Sequence, residues 1–96
     1  MTNKFNKEGE PIDSMTWLKL LEEKDYKIIR QETLPNKKIV STIWLGLDHS
    51  FGQGEPLIFE TMVFKEKGNY TEEACQRYST LKQAQAGHRK MVEEYN

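Results

Sequence analysis

Residues 38–64 read KIVSTIWLGLDHSFGQGEPLIFETMVF, and the fold turns on how this stretch is read. Two apolar segments rich in β-branched and aromatic residues flank the short connection DHSFGQGE, the pattern of two neighbouring strands joined by a loop. In the first arm Ile39, Ile43, Leu45 and Leu47 fall on one face, with Val40, Thr42, Trp44 and Asp48 on the other. In the second, Leu57, Phe59, Thr61 and Val63 alternate with Ile58, Glu60, Met62 and Phe64. Both faces of both arms are largely apolar, so the expectation is a central pair of strands covered on both sides.

Working outward, the preceding segment around residues 26–34 has strand character, but its Arg30, Gln31 and Glu32 favour an edge. Pro35 and Asn36 suit a tight turn that hairpins it onto the first central arm. Before it, Asp13 or Ser14 caps a short helix over residues 14–24, with Trp17, Leu18 and Leu21 as its inner stripe. Residues 1–11 are polar apart from Phe5 and are expected to form a flexible N-terminal segment, leaving 12–96 as one domain. After Phe64, residues 65–73 (KEKGNYTEE) read as a charged loop and residues 74–79 as a short fourth strand. Thr80 and Gln83 form a capping-box pair that opens a last helix over residues 81–95, whose inner stripe is Leu81, Ala84, His88, Met91, Val92 and Tyr95. Gly87 weakens that helix, and a close approach to another backbone would account for it. The expected fold is a two-layer α+β domain: a short N-terminal helix, three or four antiparallel strands with a central hairpin, and a C-terminal helix on the sheet.

Composition removes several classes of function. A net charge of −1 gives no global basic field, which argues against duplex DNA as a ligand. The one cysteine, Cys75, cannot form an internal disulfide and fits a reducing compartment. No apolar run approaches the roughly 20 residues that span a bilayer, and residues 1–10 lack the core of a signal peptide, so a cytoplasmic protein without a membrane partner is expected.

The strings STIWLGLDHSFGQGEPLIFETMVF and RYSTLKQAQAGHRKMV resemble a widespread family of small proteins encoded by bacteriophages, prophages and actinobacterial genomes. The likeness spans about residues 12–92, with D-H-x-F-G and F-E-T-M-V-F its most distinctive blocks, and it departs mainly over residues 65–75. No established activity comes with it. It implies an accessory protein of a mobile element, acting in the host cytoplasm on a host factor in host takeover or anti-defence.

Three classes of function follow. The first is a non-catalytic binding protein that contacts a host protein or sequesters a small nucleotide-like ligand. In the latter case the loop aromatics, the Gly52 and Gly54 amides and Arg77 with Lys or Arg from the last helix would grip an anion and stack a base, and the candidate ligand- or partner-binding residues are Trp44, Asp48, His49, Phe51, Gly52, Gly54, Arg77, Tyr78 and His88. The second is a homo-oligomeric structural module, which is compatible with the first. The third is a small metal-dependent hydrolase using Asp48, His49, Glu60 and His88, whose types match a divalent-metal ligand set without any H-E-x-x-H or C-x-x-C spacing. The first is preferred, with no catalytic residue, metal or cofactor assigned, because 96 residues leave little room for a deep pocket and its supporting shell. Glu60 interrupts an apolar strand and needs a partner if buried; Arg77 is the expected one, in a structural ion pair.

Overall fold

The computed structural model of the chain describes residues 3–96. Its elements are α1 (Ser14–Glu22), the single turn α2 (Lys24–Lys27), β1 (Ile28–Thr33), β2 (Ile39–Trp44), β3 (Phe59–Glu66), β4 (Asn69–Tyr78) and α3 (Leu81–Tyr95). The strands form one antiparallel sheet in the order β1-β2-β3-β4, so each lies beside its neighbour in sequence. This is the two-layer α+β architecture read from the pattern.

The inner face of the sheet carries Val40, Thr42 and Trp44 from β2 opposite Val63, Thr61 and Phe59 from β3, all six fully buried. Across it lies α3, opened by the expected capping box: Gln83 N–H donates to Thr80 Oγ1 at 3.1 Å, and the Gln83 side chain accepts from Thr80 N–H at 3.2 Å. Ala84 and His88 are the buried residues of its stripe. Gly87 is small because a side chain must pass, not another backbone: a Cβ there would overlap the Tyr78 ring.

Four expectations are corrected. First, the central strands are covered on one face only. α1 packs at the end of the sheet, where Trp17 Nε1 donates to the Leu45 carbonyl at 3.0 Å, and among the described residues no helix crosses the face bearing Ile43, Glu60, Met62 and Arg77. The inner stripe of α1 is Trp17, Leu20 and Leu21, while Leu18 faces water. Second, the strands flanking the loop are shorter than the apolar runs. β2 ends at Trp44 because Gly46, at φ +73°, turns the chain where a Cβ would strike the Trp44 and Trp17 rings. Third, the charged segment over 65–73 is mostly strand: β3 runs on to Glu66, and Gly68 at φ +88° closes a tight turn into the ten-residue β4. Cross-strand pairing to β3 outweighs the low β-propensity of those charged residues.

Fourth, residues 3–12 are held, and Phe5 and Ile12 pack against the core cluster of Trp44, Ile58, Phe59 and Ala84. Backbone bridges join Lys4 to Leu47 and Phe5 to Pro11. Phe5 N–H donates to the Gly46 carbonyl at 2.7 Å, and the Phe5 carbonyl accepts from the buried Trp44 indole at 3.0 Å. Besides this packing the tie uses backbone polar groups, which hydrophobic periodicity does not register. Met1 and Thr2, the rest of the expected flexible segment, lie outside the described residues.

Candidate functional site

The loop over residues 45–58 is clamped at its base and bare at its tip. Asp48 does the clamping: one carboxylate oxygen accepts from Ser50 N–H at 2.7 Å and from Leu57 N–H at 3.0 Å, and the other accepts from Ser50 Oγ at 3.0 Å. Burial pushes its pKa up, but these three bonds, with His49 alongside, outweigh that and hold it below the ordinary value. His49 Nδ1 lies 2.7 Å from the Leu47 carbonyl, which can only accept, so Nδ1 carries the hydrogen. Past this base stands Phe51, 88% exposed and at φ +55°, with Gly52 and Gly54 exposed beside it. A bulky residue in the left-handed region costs roughly 1–3 kcal/mol, so an apolar ring projected into water there is a feature to be accounted for.

Phe51 is not alone. Met15 (66% exposed), Leu18 (49%) and Ile28 (37%) are the other large apolar residues exposed at this end of the sheet, where β2 leaves at Trp44 and β1 begins at Ile28. Tyr70 is exposed at the opposite end, beside the β3–β4 turn. Leu21, Ile28 and Ile43 also line a cleft of about 420 Å³ whose rim carries Lys24 and Lys27.

The remaining residues read as ligand-binding do not join this loop. Trp44 is core, edge-on to Tyr26 with ring centroids 4.9 Å apart. Arg77 lies on the open face, where its Nε donates to Glu60 at 3.0 Å; Cys75 Sγ sits 3.6 Å from the same carboxylate oxygen. Burial and that carboxylate push the Cys75 thiol up, away from a reactive thiolate. Tyr78 and His88 belong to the opposite, helix-covered face. The quartet Asp48, His49, Glu60 and His88 is therefore split over three places, and no group of three His, Cys, Asp or Glu among the described residues is arranged to hold a metal.

The inner face holds a polar chain that periodicity passes over. His88 Nε2 lies 3.0 Å from Glu32 Oε1, His88 Nδ1 lies 2.7 Å from Thr42 Oγ1, and Thr42 Oγ1 lies 2.5 Å from Thr61 Oγ1. Desolvation lowers the pKa of His88, Glu32 opposing it and Arg30 adding to it, so the imidazole is neutral at pH 7. Glu32 is held below its ordinary pKa chiefly by Arg30 and then by His88. A carboxylate, an imidazole and a hydroxyl in a row are the parts of a nucleophilic triad. Here the hydroxyl is fully buried and the imidazole 1% exposed, so no substrate atom reaches them. Beside Thr61 lies Tyr78 Oη, the one buried side-chain polar atom without an aligned partner among the described residues. The available signals were Thr42 and Thr61, two hydroxyls at one register on otherwise apolar strands.

No protein-family model matches this chain, and neither the curated proteins nor the solved structures contain a match to it. Among the described residues no helix is long and apolar enough to cross a membrane.

Proposed function

We propose that this is a small non-catalytic binding protein that meets a protein partner through the loop-bearing end of its sheet, with Phe51 as the anchor. The observation that carries this reading is Phe51 itself: an aromatic ring 88% exposed in a left-handed backbone, on a loop whose base Asp48 fixes. Rigid aromatic side chains presented at low entropic cost dominate binding hot spots, and Met15 and Leu18 on α1 and Ile28 at the start of β1 are further large apolar side chains exposed to solvent. A protein partner is favoured over a nucleotide because Trp44 and His88 are committed to the interior and Arg77 to Glu60. The sequence resemblance supplies the setting, a phage or prophage accessory protein acting on a host factor.

A photo-reactive phenylalanine analogue placed at position 51, with a second protein carrying it at position 70 on the far end, tests this in the bacterial host. One discrete host protein cross-linked from position 51, absent from position 70 and lost on adding Met15→Ser and Leu18→Ser, is the expected result. Equal cross-linking from both positions, or none from position 51, overturns the reading.

A further inference from the structure

We propose that the chain Glu32–His88–Thr42–Thr61 is a proton-operated latch: neutral His88 holds α3 down on the sheet, and a second proton on its ring lets the helix open. The direction of every hydrogen bond follows from the donors available. Ionised Glu32 can only accept, so His88 Nε2 carries the hydrogen at 3.0 Å from it. Nδ1 is then an acceptor and takes the Thr42 hydroxyl hydrogen at 2.7 Å, which leaves Thr42 Oγ1 to accept from Thr61 at 2.5 Å. In this order the hydrogens of His88, Thr42 and Thr61 each have an acceptor, while Tyr78 Oη beside Thr61 lacks an aligned partner.

A protonated ring donates from both nitrogens, and the row must reverse. Thr42 then accepts from Nδ1 and gives its hydrogen to Thr61, whose own hydrogen is left without an aligned acceptor, because the neighbouring Tyr78 Oη is closed in against Gly87 and aligned with no partner. The charge itself would sit among Thr42 and Thr61, both fully buried. A buried charge and an orphaned hydroxyl both oppose the gain from the Glu32 contact, in keeping with the downward pKa of His88.

The charged and titratable groups facing the imidazole are few. β1 presents Glu32 and Arg30, β4 presents Tyr78, β2 and β3 present only the two threonines, and α3 adds Arg89 and Gln85 beside it. A cleft of about 310 Å³ lined by Ile29, Arg30, Gln85, His88 and Arg89 lies beside the buried ring on its β1 side. The latch spans α3 and three strands, so opening it frees the helix and leaves the ladder of β2 with β3 intact.

Amide exchange and nitrogen-detected imidazole spectra of the intact chain test this at pH 7.5 and pH 5. At pH 7.5 His88 should show the Nε2–H tautomer. At pH 5 the exchange rates of α3 amides, corrected for intrinsic chemistry, should rise by about tenfold for each unit by which the folded pKa lies below the unfolded one, up to a ceiling of about thirtyfold set by pH 5 itself, with β2 and β3 unmoved. Glu32→Gln removes the one contact that favours the charged ring, so it should enlarge the acid response and leave pH 7.5 nearly unchanged. His88→Gln should abolish the response. An Nδ1–H tautomer, α3 protection equal at the two pH values, or a Glu32→Gln response no larger than that of the parent overturns the latch; the last two need no variant at the buried position.

Discussion

Two residues show how little tolerance the interior has. Gly87 sits in the middle of α3, where alanine ordinarily stabilises a helix by about 1 kcal/mol. Here the added methyl overlaps the Tyr78 ring, so we expect Gly87→Ala to lower the urea midpoint by the roughly 1–3 kcal/mol of an overpacked site. A stabilised variant would mean the ring moves freely. On the other face, Arg77→Ala leaves the buried Glu60 carboxylate with Cys75 Sγ at 3.6 Å as its remaining side-chain contact. We expect a loss of about 1–3 kcal/mol, read in the same titration. The need of Glu60 for a partner was legible in the sequence, since a carboxylate breaks an apolar run. That His88 would bond Glu32 was not, because 56 residues separate them and either face of β1 could have been inward.

At the scale of the element, the loop after β2 divides into clamp and tip, and substitutions should separate the two. Asp48→Ala removes the acceptor for Ser50 and Leu57 and should speed amide exchange at both, whereas Phe51→Ser should leave the unfolding midpoint within error. The clamp also responds to acid in a defined direction. The folded pKa of Asp48 lies below its ordinary value near 3.8, so its contribution is complete above pH 4 and fades as the pH falls through the depressed folded value. Loop amides of Ser50 and Leu57 losing protection between pH 6 and pH 5 would contradict this. Periodicity located the strands and α3 well because their alternation and capping are local signals. It misplaced the coverage of the sheet, since an apolar outer face looks the same whether a helix or a partner lies over it. It also missed most of β4, where pairing to β3 decides and local propensity does not.

For the whole molecule, the held N-terminal segment makes a clear demand. Deleting residues 1–11 leaves the Trp44 indole N–H, buried in the core, without the Phe5 carbonyl. We expect the truncated chain to unfold at lower urea and its tryptophan emission to shift to the red; an unchanged midpoint and spectrum would show those residues to be dispensable. The neighbour-by-neighbour order of the strands bears on how the chain assembles. Three hairpin closures can form in turn without waiting for distant segments, whereas the return of α3 to β1 and to the β1–β2 turn joins residues 56 and 59 apart. Nucleation therefore belongs to the meander and helix docking comes late, so lesions at the α3–β1 contact should quicken unfolding while hardly slowing the refolding limb of a chevron.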